Sequence, residues 1–163
     1  MTIKEFNTCV DLYADGLYRF VLKHVKDTDV ARDLVQDTYE KLWVKVNDLE
    51  SKNAKSYMFT TAYHTTIDYL RRAKKSERLD FDKHPEEPGK ENTNYDLKTL
   101  LNKALDLLPE IQKSVVLLRD YEGYDYKEIG VITGLSESQV KVYIFRARQT
   151  LKEYLVKAEV TVE

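Results

Sequence analysis

Cysteine is almost missing from the chain: Cys9 is the one example in 163 residues. No internal disulfide can form, and a reducing cytoplasm is the expected compartment. There are three histidines and no CxxC or HExxH spacing, so no metal cluster is expected. A Gly-rich phosphate loop is also lacking, and no nucleophile, base and orienting group can be assembled by motif. Nothing here points to an enzyme or to a bound cofactor. No apolar run approaches the roughly 20 residues of a membrane span. The opening stretch "MTIKEFNTCVDLYADG" has no basic segment followed by an apolar core, so no export signal is expected. Strand-like alternation and fixed-period repeats are missing as well.

What is present is 42% hydrophobic and 33% charged, with a net charge of −2, which suits a soluble globular chain. A near-neutral total argues against coating nucleic acid by bulk charge, but the charges are clustered. Residues 71–78 carry Arg71, Arg72, Lys74, Lys75 and Arg78 against Glu77. Residues 82–96 carry Asp82, Glu86, Glu87, Glu91 and Asp96 against Lys83 and Lys90. Local patches of this kind suit binding in defined places.

The segment "DFDKHPEEPGKENTNYD", residues 80–96, holds two of the three prolines and little that can be buried. It reads as a linker between two helical halves. The fold expected is all-α: a first domain at 1–78, an acidic flexible linker at 79–97 and a second domain at 98–163. In the first domain helices are expected over about 3–25, from the Asp27–Asp29 cap signal to about 46, and over 56–75. On the third of these the apolar arc holds Met58, Phe59, Ala62, Tyr63, Ile67, Tyr69 and Leu70. The arc left over collects Tyr57, Thr60, His64, Asp68 and Arg71, by a step of about 100° per residue. Aromatic, hydroxyl, imidazole and guanidinium groups on one face can stack on bases and pair with phosphates.

The second half opens with a helix at 97–107. It continues in "LPEIQKSVVLLRDYEG", where Pro109 suits a first helical turn and Gly123 a stop. Two further helices are each announced by a cap and a reciprocating residue three positions on, Asp125 with Glu128 and Ser136 with Gln139. Gly134 between them can take a positive φ, and Gly130 faces the crossing point. This is a helix-turn-helix. On its second helix Val140, Ile144, Ala147, Leu151 and Leu155 form a seam roughly 80° wide. Ser138, Lys141, Val142, Phe145, Arg146 and Gln149 lie opposite. Arg and Lys there can read guanine edges, and Phe or Val can touch a thymine methyl.

Two helical halves, a basic and aromatic helix before the linker and a helix-turn-helix after it resemble the extracytoplasmic-function (ECF) class of bacterial sigma factors. The resemblance runs from about Leu17 to Leu155. "DVARDLVQDTYEKLW" is similar to the segment that grips core RNA polymerase, which implies that Asp33, Gln36, Asp37 and Glu40 make that contact. Read alone, the same arc is a solvated face. "LESKNAK" corresponds to a pocket for a base flipped from the non-template strand, with Ser51 and Asn53 as hydrogen-bonding groups and no aromatic residue. On "SYMFTTAYHTTIDYLRR" the −10 reading positions fall on Tyr57, Thr60, His64, Asp68 and Arg71. Tyr57 stands where tryptophan is usual, and Tyr63–His64 replaces a frequent Arg-Asn pair, so a −10 preference does not carry over. The −35 contacts fall on Ser138, Lys141, Val142, Phe145, Arg146 and Arg148, with Val142 where a hydroxyl residue is frequent. Arg148 and Lys152 suit phosphates; a salt bridge to a helix neighbour is the competing role for Arg148.

The resemblance implies core RNA polymerase and promoter DNA as partners, duplex at −35 and single-stranded at −10. It also implies an anti-sigma factor, often membrane-anchored. The acidic linker is then a segment threading the polymerase cleft, or else a plain tether. Two rival readings fit parts of the chain. One is a helix-turn-helix regulator of duplex DNA with a sensing N-terminal half; the basic, aromatic third helix argues against it. The other is a helical protein-interaction module, against which Lys141 and Arg146 stand beside Phe145 and Val142.

Overall fold

The computed structural model describes residues 1–79 and 96–162, with side chains to 159. All regular structure among them is helical. The acidic linker expected at 79–97 lies outside the described residues save its ends, which are helical: Leu79 closes one helix and Leu97 opens the next.

Three long helices form the first unit: α1 (Ile3–Val25), α2 (Thr28–Val44) and α3 (Ala54–Leu79). Thr2 and Glu5 start α1 with a reciprocal cap, the Glu5 N–H donating to Thr2 Oγ1 at 3.1 Å and the Thr2 N–H to Glu5 Oε1 at 3.4 Å. Lys26 then turns the chain at φ 59°, and Asp27 accepts the N–H groups of Asp29 and Val30 to open α2. The apolar seams meet in one core of Leu17, Phe20 and Val21 from α1, Ala31, Val35 and Leu42 from α2, and Met58, Phe59 and Ala62 from α3. The Phe20 and Phe59 rings meet edge to face at 6.2 Å. Helix α2 stops at Val44, two residues short of expectation, and α3 runs four residues past it to Leu79.

The second unit holds α4 (Leu97–Asp106), α5 (Glu110–Val116), a π-helical turn (Leu117–Tyr121), α6 (Tyr126–Thr133) and α7 (Glu137–Val162). Pro109 stands at the cap of α5, one residue before the first helical turn expected for it. Lys113 is buried on α5 and paired with Asp106 at 3.2 Å, so its charge is compensated where it sits. Leu105, Val115, Leu118, Tyr124, Ile129, Val140, Ile144 and Ala147 form the core.

Both caps of the helix-turn-helix form. The Glu128 N–H donates to Asp125 Oδ1 at 2.7 Å. The Gln139 N–H donates to Ser136 Oγ at 3.2 Å, and the Ser136 N–H to Gln139 Oε1 at 3.0 Å. Gly134 has φ +77°, a region L side chains rarely adopt. A Cβ at Gly130 would lie 2.7 Å from the Leu135 carbonyl oxygen. That oxygen belongs to the backbone, so the turn would have to move.

Gly130→Ala is expected to cost roughly 1–3 kcal/mol in denaturant unfolding, as overpacking does elsewhere. Ser136→Ala should cost about 1 kcal/mol through the lost cap. The Asp125 carboxyl is held below its ordinary range, chiefly by the Glu128 N–H. A lowered folded pKa gives stability that is present above about pH 4 and is lost as pH falls through the folded value. The melting-temperature gap between wild type and Asp125→Ala should therefore be steady above about pH 4 and close below it.

Candidate nucleic-acid interface

Helix α7 buries three of the five residues expected on its seam and leaves Leu151 and Leu155 half-buried. Val140, Ile144 and Ala147 are buried, while Ser138, Lys141, Val142, Phe145, Arg146 and Arg148 are exposed. Phe145 is 68% exposed and Val142 45%. Burying a Phe side chain contributes about 1.5–3 kcal/mol, and this ring forgoes most of that in the free chain. The result is an apolar centre flanked by Lys141 and Arg146.

Arg148 differs from its neighbours on this helix. Its guanidinium grips Asp120 with two bonds, Nε to Oδ2 at 3.0 Å and Nη2 to Oδ1 at 2.5 Å. The Asp120 carboxylate raises the arginine's pKa above its already high ordinary value. Both groups of this pair are partly exposed, at 48% and 38% of their side chains. The salt bridge expected for Arg148 is with a neighbour on its own helix; the partner is instead Asp120, and the pair ties α7 to the π-helical turn.

A second group on this side was missed by sequence reasoning. The Tyr126 ring lies 4.7 Å from the Arg119 guanidinium carbon and 5.5 Å from Lys141 Nζ. Arg119 also donates to the Tyr124 carbonyl at 2.9 Å. No spacing rule links these residues, because they come from the π-helical turn, the start of α6 and α7. A cation on a neighbouring element leaves no periodic trace beside an aromatic ring.

In the first unit, α3 carries a comparable face. His64, Asp68 and Arg71 are exposed, and Tyr57 and Thr60 are half-buried. The His64 ring meets Tyr63 edge on at 5.3 Å. The Tyr57 hydroxyl lies 3.5 Å from the Lys41 carbonyl, the outer limit of a hydrogen bond. Lys41 Nζ reaches Thr65 Oγ1 at 3.4 Å, which brings a cation from α2 to this helix. Arg71 and Asp68 are 4.0 Å apart and well exposed, so the pair holds neither in place by more than about 1 kcal/mol. Ser51 and Asn53 are exposed on a 3₁₀ turn that leads directly into α3. Ser51 is hydrogen-bonded to Glu5, and this bond is the main reason the Glu5 carboxyl sits below its ordinary range.

Helix α2 turns Asp33, Gln36, Asp37 and Glu40 outward, opposite the buried Ala31, Val35, Thr38 and Leu42. Thr38 satisfies its buried hydroxyl on the Leu34 carbonyl at 3.0 Å. Trp43 is 48% exposed and packs edge on against Phe6 at 5.1 Å. Cys9 is buried, and burial pushes its thiol pKa up. Among the described residues no cluster of His, Cys, Asp and Glu could hold a metal ion, and no helix is long and apolar enough to cross a membrane.

Residues 9–76 match the family model of sigma-70 region 2, and residues 98–151 match that of sigma-70 region 4. The chain is 31% identical over 155 residues to the RNA polymerase sigma factor SigV of Bacillus subtilis, covering 94% of this chain and 93% of that protein. It is 29% identical over 159 residues to the ECF RNA polymerase sigma factor SigM of the same organism, covering 93% and 94%. Its structure is similar to that of the sigma factor RpoE of Bartonella quintana, solved in complex with the anti-sigma factor NepR. The TM-score is 0.77 at 28% identity, covering 94% of this chain and 98% of that one. Two sigma-70 regions in this order, in a chain that spans nearly the whole length of such relatives, place it in the sigma-70 family, among the ECF RNA polymerase sigma factors.

Proposed function

We propose that this sigma factor divides promoter recognition among three faces, in a chain partitioned as 1–78, 79–97 and 98–163. The α2 arc of Asp33, Gln36, Asp37 and Glu40 docks on a basic surface of core RNA polymerase, where its carboxylates supply charge complementarity. The α7 face reads the duplex −35 element: Lys141 and Arg146 hydrogen-bond to base edges, Phe145 and Val142 cover thymine methyls, and Ser138 bonds nearby. Arg148 braces that helix through Asp120 and meets phosphate with its remaining N–H groups. The α3 face holds the −10 element as a single strand.

Opening there is binding energy directed to strand separation, with no covalent step and no cofactor. Flipping a base costs a few kcal/mol. Stacking on Tyr57 or His64 returns about 1–3 kcal/mol per base. Thr60, Asp68, Ser51 and Asn53 add hydrogen bonds, and Arg71 takes a phosphate. The acidic linker occupies a path in the polymerase built for nucleic acid, where its charge imitates that of RNA. The Bartonella relative was solved with an anti-sigma factor. By that likeness, this chain is held inactive in the cytoplasm by a protein that covers its polymerase-facing surfaces.

The observation that carries the reading is the 68% exposure of Phe145 between Lys141 and Arg146, on a helix whose opposite side buries Val140, Ile144 and Ala147. The test is transcription by bacterial core polymerase from a library of promoter fragments. Specific transcripts should depend on adding the chain. Arg146→Ala should weaken promoter retention by about 1–3 kcal/mol while polymerase binding persists. His64→Ala should keep duplex retention and shorten the lifetime of the open complex. A chain that binds duplex DNA yet never confers initiation would overturn the reading in favour of a helix-turn-helix regulator.

A further inference from the structure

Lysine is a poor reader of base edges when left to itself. Its ammonium is a point charge on a flexible four-carbon stem, and holding it in one place costs rotamer entropy. Lys141 is exposed on α7, yet its Nζ lies 5.5 Å from the centre of the Tyr126 ring. The same ring takes the Arg119 guanidinium at 4.7 Å, and Arg119 is fixed a second time by the Tyr124 carbonyl at 2.9 Å. Tyr126 also contributes, after Asp120, to the raised pKa of Arg148. Three cations from two elements are thus gathered around one half-buried tyrosine. Asp120 and Asp125 offset their mutual repulsion, Asp120 through its bonds to Arg148 and Asp125 through the field of Arg119.

We propose that Tyr126 is a positioning residue for sequence reading: its ring restricts Lys141 to the geometry in which the ammonium meets a base edge, and Arg119 holds the ring in place. Tyr126 itself lies on α6, outside the reading helix, and touches no base in this account. The inference rests on the assignment of α7 to the −35 duplex. A cation over a partly exposed ring gains the equivalent of at least about two- to fivefold in an equilibrium. That is the scale on which discrimination is lost when the ring is removed. The ring is what matters, so phenylalanine serves in place of tyrosine.

The test uses the full chain assembled on bacterial core polymerase, a pool of promoter duplexes randomised across the −35 region, and sequencing of the bound fraction. Wild type, Tyr126→Phe, Tyr126→Leu, Lys141→Ala and the Tyr126→Leu/Lys141→Ala double variant are compared. Lys141→Ala is expected to relax preference at one or two base pairs. Tyr126→Leu should relax the same pairs by about two- to fivefold, and Tyr126→Phe should read as wild type. In the Lys141→Ala background, Tyr126→Leu should change nothing further at those pairs. Equal weakening of all sequences by Tyr126→Leu would overturn the proposal, since that is the mark of a merely structural role. Damage by Tyr126→Phe equal to that of Tyr126→Leu would also overturn it, by moving the role to the hydroxyl beside Arg148. Unchanged selection by Lys141→Ala would instead remove Lys141 from base reading, and the proposal with it, while Arg146→Ala still reports whether α7 reads the duplex at all.

Discussion

The outward face of α7 depends on how closely the α6–α7 turn can approach α6. The Leu135 carbonyl sits where a Cβ of residue 130 would meet it at 2.7 Å, so only glycine leaves room. With that approach made, Gly134 can turn the chain at φ +77° and Ser136 can cap α7 in register. The register then decides which side chains are buried. If α7 rotated by one residue, about 100°, Val140 and Ile144 would leave the core and the outward set would be replaced. Phe145 and Val142 face solvent because Val140, Ile144 and Ala147 on the other side of the helix take the core. The exposed apolar surface therefore follows from packing elsewhere, and the free chain carries it as a standing cost.

Both units solve the same problem in different ways. A helical bundle buries one stripe of each helix and leaves the other stripes exposed to solvent. In the first unit, α2 and α3 share one core yet turn unlike faces outward, carboxylates on α2 and aromatic, imidazole and guanidinium groups on α3. Charge of one sign near charge of the other would be self-defeating if the two faces coincided. Separate helices keep them apart. In the second unit, the Arg148–Asp120 pair and the Tyr126 cluster link α7 to the π-helical turn before α6. The orientation of the face is thereby fixed from two sides, by the turn at its start and by ionic contacts further along.

Much of this was legible from residue order, because local rules govern it. The start of α1 at Ile3, the Asp27 cap, and the paired caps at Asp125 and Ser136 are set by side chains within three residues of the groups they serve. The outward set on α7 followed from the 3.6-residue period alone. What escaped depends on partners distant in sequence. Lys113 reads as a surface residue until Asp106, beyond the break at Pro109, is found beside it. Asp120 and Arg148 are 28 positions apart. Helix α3 outran its expected end because "RRAKKSERL" holds strong helix formers and no breaker. The π-helical turn at Leu117–Tyr121 is not anticipated from the sequence, since such turns are rare and the stretch reads as a continuation of α5.

The central claim is that separate helices of one chain hold the −35 duplex and the −10 single strand. The most direct measurement is made on a single complex of the chain, core polymerase and promoter DNA. It combines nuclease protection at −35 with permanganate reactivity of thymines at −10, which reports unstacked bases. A Tyr57→Ala/His64→Ala variant is predicted to keep the −35 protection and lose the thymine reactivity. Reactivity that survives in this variant, or protection and reactivity that vanish together, would contradict the account.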